Sequence, residues 1–304
     1  MASRELIVLG TAAQSPTAER GQSSYALRWD ERFYVFDPGE NTQRQMMKAG
    51  LPITHISRVF ISHFHGDHCL GLPGLVQRWR LFGGGGRLAL HYPSWGRENV
   101  DRLLHGSAID FDLGIEHRPV EPGETQHHDG LAITALELDH TIPTVGWRLE
   151  EQPQRHLLPR QLGRLGIEGE AAGRLKRDGA IQHHGRTVEI DEVSEIRPGP
   201  AFAFVMDTRV CDNATQLARG ADLLLAEATY LDEHAGLAAA HGHLTAVQAA
   251  RIAVEAGVRR LVLSHFSERY DDVEPFRSEA AALLADVTVA RDFDIVSFPP
   301  RGVA

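Results

Sequence analysis

Residues 63–68 read "HFHGDH". Four side chains able to bind a metal ion, His63, His65, Asp67 and His68, fall within these six positions. Imidazole suits zinc, and a carboxylate adds charge compensation and can bridge two ions. His63 and His65 are two residues apart, so an extended backbone points both the same way. Gly66 then permits a sharp bend, after which Asp67 and His68 turn toward a second ion. A histidine-rich stretch can equally be a solvated loop, so the rest of the chain has to decide.

A recurring unit supplies the decision: an apolar, strand-like run closed by His or Asp. His63 follows "RVFIS", His140 follows "LAITALELD", Asp207 follows "AFAFVM" and His265 follows "RLVLS". One polar residue ending a strand is ordinary. Four of them predict that strand ends carry donors from distant sequence to one point. The runs "ELIVLG", "FYVFDPG", "RLALHYP", "ADLLLAEAT" and "FDIVSF" also have the length and composition of buried strands. Helical patterns lie between them. In "NTQRQMMKAG", Asn41 is placed to cap a helix and Gly50 to end it. In "TAVQAARIAVEAG", Thr245 and Gln248 have capping-box spacing, and Gly257 marks the end. Ala246, Ala249, Ala250 and Ala253 of that segment share one face. The order of elements predicts sheets layered with helices in a single unit over 1–304.

Composition excludes several classes. An apolar fraction of 42% with 24% charged residues describes a globular chain, not a disordered one. No apolar run approaches the roughly 20 residues that span a bilayer, and "MASRELIVLG" is too short in apolar length for a secretory signal. Only Cys69 and Cys211 are present, which suits a reducing cytoplasm. Cys69 reads as a small packed residue. "FGGGG" at 82–86 reads as a flexible turn, without the Lys-Ser/Thr of a phosphate-cradling loop. The pairs His127–His128 and His183–His184 read as solvated.

The net charge of −10 gives the whole molecule no general attraction for nucleic acid. Residues 152–187 differ: seven Arg or Lys against three acids give +4, leaving −14 elsewhere. The stretch 151–192, rich in Gly, Arg and Gln and poor in strand signal, reads as an arm inserted into the catalytic unit.

"HFHGDH" resembles the signature of the metallo-β-lactamase fold. "FDPGENTQRQM" at 36–46, "GLPGL" at 71–75, "DHTIPTVGWRLE" at 139–150, "VMDT" at 205–208, "AEATY" at 226–230, "GHLTAVQAARIA" at 242–253 and "SHFSERY" at 264–270 resemble, in order, the short form of the ribonuclease Z family. That resemblance covers nearly the whole chain. It implies an α/β fold, the αββα sandwich of two packed β-sheets flanked by helices, with an inserted flexible arm. It implies two Zn2+ per chain, in sites that Mn2+ or Fe2+ can also occupy. His63, His65 and His140 would hold one ion, Asp67, His68 and His265 the other, and Asp207 would bridge them. His243 matches an outer or acid-catalytic histidine, with Glu227 orienting it. His241, two residues away, competes for that role. The arm would grip the body of precursor tRNA, across a homodimer. Arg174, Lys176, Arg177 and Arg269 are candidate substrate contacts, although Arg269 and Tyr270 after a strand also suit a structural role.

The expected activity is endonucleolytic removal of the 3′ trailer of precursor tRNA. Hydroxide activated by the metal would attack phosphorus, Asp67 would accept its proton, and His243 would protonate the leaving 3′ oxygen. The alternative is another hydrolase of this fold, a small-molecule phosphodiesterase or, less expected, a lactonase or β-lactamase; the arm discriminates. A non-catalytic RNA-binding protein would be expected to have lost a ligand, and none is missing. Two departures from the family stand out. "LGIEGEAAGRLKRDG" keeps the arm's "LGI" but lacks the prolines of its tip, and Glu168 and Glu170 intrude. "GTAAQSPTAERGQSS" has Glu-Arg-Gly-Gln where an Arg-Asn pair is more usual.

Overall fold

The computed structural model describes residues 4–108 and 112–300. The chain begins with β1 (Arg4–Gly10), β2 (Ser24–Trp29), β3 (Arg32–Phe36), β4 (Ile56–Phe60), β5 (Leu88–Pro93) and β6 (Ile115–Val120). It continues with β7 (Thr125–His128), β8 (Leu131–Leu138) and β9 (Thr144–Glu151). Four short strands follow: β10 (Gln154–Leu157), β11 (Ala180–His183), β12 (Arg186–Glu189) and β13 (Ser194–Arg197). The last are β14 (Ala201–Val205), β15 (Leu223–Glu227), β16 (Leu261–Ser264), β17 (Val287–Val289) and β18 (Ile295–Ser297).

Two seven-stranded mixed sheets result, in the orders β18-β1-β2-β3-β4-β5-β6 and β17-β16-β15-β14-β9-β8-β7. The sheets are joined by an aromatic interior. Tyr25, Phe36 and Phe60 of the first meet Trp147, Phe202 and Phe204 of the second, all fully buried. Phe36 stacks on Phe60 at 4.6 Å, and Phe60 meets Trp147 edge-on at 5.3 Å. Such pairs add about 0.5–1.5 kcal/mol each beyond the area they bury.

Helices cover the outer faces. Helix Leu72–Leu81 lays Leu72, Leu75, Val76 and Trp79 on the first sheet. Helix Ala246–Glu255 lays Ala246, Ala249, Ala250 and Ala253 on the second, where small side chains permit close approach. Its capping box forms as the sequence predicts: Thr245 Oγ1 accepts from Gln248 N, and Gln248 Oε1 accepts from Thr245 N. Asn41 does occupy the cap of helix Thr42–Lys48, but in the left-handed region at φ 73° and with no side-chain cap bond.

All nine predicted strand runs are strands. Of the others, β6, β7 and β17 are edge strands, β10–β13 are four-residue pieces of the arm, and β2 and β9 lie inside the sheets, where Arg28 in β2 and Gly146 and Arg148 in β9 break up the apolar run. The edge strand β6 contains Pro119, tolerated because one of its sides has no neighbour. In the second sheet the edge strand β7 (TQHH) has no buried residue.

The arm differs from the strand-poor expectation. The segment from Gln154 to Arg197 contains helices Pro159–Leu165 and Gly169–Asp178 and two antiparallel strand pairs, β10–β13 and β11–β12. It has a small core of its own, Ile167, Leu175, Ile181, Val188 and Val193. Its strands are four residues long, too short for a periodicity to register. His183 is packed here instead of solvated: its Nε2 donates to the Leu165 carbonyl at 3.0 Å. Charge is segregated within the arm. Asp191, Glu192 and Glu195 pair with Arg155, Arg186 and Arg197. Arg160, Arg164, Arg174, Lys176 and Arg177 lie exposed on the two helices.

Candidate metal centre

Strand ends converge at one end of the sandwich. β4 delivers His63, β8 is followed by His140, β14 by Asp207 and β16 by His265. Beyond His63 the chain enters the short helix Gly66–Cys69 with His65 at its cap, and this turn presents Asp67 and His68. The bend comes from that helix start, and Gly66 is not among the glycines at positive φ. The strain lies instead at Asp37, Asp207 and His265, non-glycine residues held at φ 43°, 46° and 63°.

Two donor clusters form, sharing Asp207. In the first, His63 Nε2 is 3.1 Å from His65 Nδ1, and His140 Nε2 is 3.3 Å from His65 Nδ1. Asp207 Oδ2 lies 3.6 Å from His63 Nε2 and 3.5 Å from His140 Nε2. In the second, His68 Nε2 is 3.2 Å from Asp67 Oδ2, and His265 Nε2 is 3.5 Å from it. Asp207 Oδ1 lies 3.5 Å from His68 Nε2 and 3.3 Å from His265 Nε2. Donors arranged tetrahedrally at zinc-like bond lengths stand about 3.3–3.4 Å apart. The observed edges cluster around that value.

The outward-facing atoms fix which nitrogen points in. His63 Nδ1 meets Ser62 Oγ at 2.9 Å, His68 Nδ1 meets Asp37 at 2.9 Å, and His140 Nδ1 meets the Gly242 carbonyl at 2.8 Å. His265 Nδ1 meets Thr229 Oγ1 at 2.9 Å. Each ring is thereby held with Nε2 turned inward, the usual support of a metal-ligating histidine. His68 Nε2, His265 Nε2 and Asp207 Oδ1 are buried, and none makes a hydrogen bond. Orphaned buried donors of this kind need an explanation, and a divalent cation between them supplies one. The His/Asp clusters fit a divalent-metal site.

These side chains shift one another strongly. Burial raises the Asp207 carboxyl, but His265 and His68 outweigh it and hold it well below the usual carboxylate range. Burial likewise opposes ionisation of Asp67, and the neighbouring His68 overrides it. Burial, aided by His68, keeps His63 well below an ordinary histidine. Burial depresses His68 too, but Asp67 and Asp207 more than offset this and raise it. Cys69 is a packed residue, its thiol pushed up to about 12 by burial and its Sγ donating to the His65 carbonyl.

Beside the clusters, His243 Nδ1 donates to Glu227 Oε1 at 3.0 Å. Glu227 is fully buried and is further held by Thr208 N at 2.7 Å. Burial lowers the His243 pKa, but the Glu227 carboxylate outweighs it and brings the ring up to about 9. His241 is exposed at the end of helix Ala235–His241, so the carboxylate pairs with His243 and not with His241. A cleft of about 650 Å³ opens over the clusters, lined by Asp67, His140, Tyr230, His243 and Arg269 among others. Arg269 rests 5.4 Å over the Tyr230 ring. Tyr270 serves the scaffold: its hydroxyl accepts from Leu231 N and meets His234. Arg174, Lys176 and Arg177 are on the arm, outside the cleft. A larger cavity of about 870 Å³ at the opposite end, lined by Arg4, Trp29 and Glu151, holds no comparable donor set.

Asp37, Gln14, Ser62, Thr208, Thr229 and Gly242 are participants that sequence reading misses. Asp37 was findable, since "FYVFD" is one more apolar strand closed by an acid. Gln14 acts through its backbone, its N–H donating to Asp67 Oδ2 at 2.8 Å, and no side-chain pattern signals that.

Two packed mixed sheets flanked by helices, with His and Asp gathered at the strand ends, define a metallo-β-lactamase-type hydrolase, and the family model of the metallo-beta-lactamase superfamily matches residues 17–265. The ribonuclease Z of Nocardia farcinica is 47% identical over 99% of this chain and 100% of its own length. That of Thermobifida fusca is 48% identical over 99% of this chain and 96% of its own. The crystal structure of human tRNase Z, short form, superposes with a TM-score of 0.70 at 26% identity, covering 97% of this chain and 100% of that one. The chain belongs to the ribonuclease Z family.

Proposed function

We propose that this protein is an endoribonuclease that removes the 3′ trailer of precursor tRNA, using two divalent ions, zinc in the first instance. The observation that carries the reading is the pair of donor clusters sharing Asp207, set beside the hydrogen-bonded His243–Glu227 pair in one cleft. His63, His65, His140 and Asp207 would hold one ion; Asp67, His68, His265 and Asp207 would hold the other. When bound, the ions supply activation of water and neutralisation of the phosphodiester charge.

The remaining steps belong to the chain's own residues. Asp67 Oδ2, oriented by the Gln14 N–H, faces the shared space and accepts the proton of the attacking water. His243 uses Nδ1 for Glu227, which leaves Nε2 to protonate the departing 3′ oxygen of the ribose. Arg269 and Tyr230 offer the cleft a cation and an aromatic face for nucleotides flanking the cut. The exposed cations of the arm, Arg174, Lys176 and Arg177 among them, suit phosphates of the tRNA body. The reading has the chain acting as a homodimer in the cytoplasm; no helix among the described residues is long and apolar enough to cross a membrane.

The test is cleavage of precursor tRNA beside hydrolysis of bis(p-nitrophenyl) phosphate by wild type and Asp67→Ala. Wild type should cut both, and Asp67→Ala should lose cleavage far more than tRNA binding. Activity on the small ester alone, or near-normal cleavage by the variant, would refute the reading.

A further inference from the structure

One hydroxyl joins the two halves of the centre. Thr229 lies two residues beyond Glu227, just past the end of β15, and is buried. Its Oγ1 is 2.6 Å from Glu227 Oε2 and 2.9 Å from His265 Nδ1. The ligand role of His265 sets the direction of each hydrogen bond. His265 Nε2 faces the donor cluster, 3.3 Å from Asp207 Oδ1 and 3.5 Å from Asp67 Oδ2; with Nε2 committed to the ion that would lie there, Nδ1 would carry the ring proton and donate to Thr229. The hydroxyl proton is then committed to Glu227 Oε2. Glu227 Oε1 accepts from His243 Nδ1 and from Thr208 N. The result is an unbroken chain, His265 to Thr229 to Glu227 to His243, buried up to the half-buried His243 at the cleft.

We propose that Thr229 is a positioning residue that locks the metal-facing His265 and the proton-donating His243–Glu227 pair into one fixed spacing. The inference rests on the functional reading above and assigns this residue a task within it. The chemistry requires a hydroxyl. Only a group that accepts from one side and donates to the other fits between an imidazole N–H and a carboxylate. The backbone N–H of Thr229 also reaches Glu227 Oε2, at 3.3 Å, so the side chain is held close at its root. Valine has nearly the same shape, yet it would leave the Nδ1 proton of His265 without an acceptor and remove one donor from a buried carboxylate.

The full-length chain tests this with Thr229→Val and Thr229→Ser. Two measurements are made on each: zinc retained per chain against a graded chelator, and kcat and KM on precursor tRNA and on bis(p-nitrophenyl) phosphate. Nitrophenolate leaves without needing a proton, so the small ester reports the metal cluster and the RNA reports the acid pair as well. Thr229→Val should lose about 10–100-fold in zinc affinity. Its kcat should fall at least about tenfold further on precursor tRNA than on the small ester, with KM within about twofold of wild type. Thr229→Ser should restore both. Wild-type zinc retention in Thr229→Val, equal losses on the two substrates, or a serine variant as impaired as the valine one would each overturn the proposal. Thr229→Ala, which places no added methyl beside the carboxylate, repeats the comparison if the valine variant does not fold. A wild-type chain inactive on precursor tRNA would overturn the functional reading alone, and zinc retention would still decide the hold on His265.

Discussion

Asp37 Oδ2 stands 2.9 Å from His68 Nδ1, and both side chains are fully buried. The same carboxylate accepts from Ser62 N at 2.7 Å and from Ser62 Oγ at 2.6 Å. Ser62 Oγ in turn meets His63 Nδ1, so one acid steers a histidine in each cluster. Asp37→Ala would strand these donors in the interior, at about 1–3 kcal/mol for each group left unpaired. It should also weaken metal binding by about 10–100-fold. Chelator titration and thermal unfolding of the variant check both effects; unchanged zinc affinity would remove Asp37 from the centre's support.

The loop bearing Asp37 is itself clamped from behind. Gly71 N donates to the Pro38 carbonyl at 2.9 Å, and a Cβ on Gly71 would fall 1.9 Å from the Gly39 carbonyl oxygen. Neither partner is a yielding side chain. Gly71→Ala therefore has to push the 37–39 loop off the helix Gly66–Cys69. The expected outcome is a loss of several kcal/mol, in the range of other forced backbone displacements, together with reduced zinc retention. A denaturant titration that shows wild-type stability would mean that the loop can move without cost.

Glu227→Gln tests the acid pair through pH. In the chain without ions, burial lowers His243 but Glu227 outweighs it and brings it to about 9, above its ordinary value of 6.5. A raised histidine contributes stability that is complete below the unfolded value of 6.5 and is lost as pH rises through about 9. Metal-free wild type should therefore lose stability across that window, and the glutamine variant should not. In cleavage, the variant keeps the burial and lacks the carboxylate, so the alkaline limb of kcat moves to lower pH. Bound ions depress the histidine in both proteins, so the displacement between the two profiles is the quantity to read. Coincident profiles would exclude His243 as the proton donor that Glu227 tunes.

Legibility in the sequence follows the length and burial of each element. β14 and β16 are buried throughout and β4 and β8 each keep one largely buried face, and a histidine or aspartate follows each within three residues, so these strands are legible together with His63, His140, Asp207 and His265. The capped helix at Thr245 was equally legible, because a capping box is a local pattern. Thr229 and Gly242 were not, since each acts on a histidine 36 or 102 positions away and nothing local marks the pairing. The arm was misjudged for a related reason: four-residue strands and helices of seven and ten residues hold together only through a five-residue core assembled across the fold. The charge of the arm is legible as a sum over 152–187, but not where it sits. Acids at 189–195 neutralise the strand side, and the positive balance belongs to the two helices.

That segregation leads to the prediction about the arm. Glu151 N donates to the Pro200 carbonyl at 3.0 Å, and Glu150 pairs with Ala201 across β9 and β14, so the chain leaves and re-enters the body at neighbouring points. Replacing Gln154–Arg197 by a two-glycine turn can therefore close β9 onto β14 as a hairpin. The catalytic strands keep their register, and hydrolysis of bis(p-nitrophenyl) phosphate should stay within about threefold of wild type, while KM for precursor tRNA rises by an order of magnitude or more, the scale expected when several phosphate contacts are lost. A finer version keeps the arm and changes Arg174, Lys176 and Arg177 to alanine. All three are exposed on helix Gly169–Asp178 and lie outside the cleft, so the change should spare the small ester. It should flatten the log–log dependence of tRNA affinity on salt by about 2–3, the slope carried by three phosphate contacts. An unchanged slope would mean that the tRNA body is held by another surface, with the arm left as a structural appendage of the sandwich.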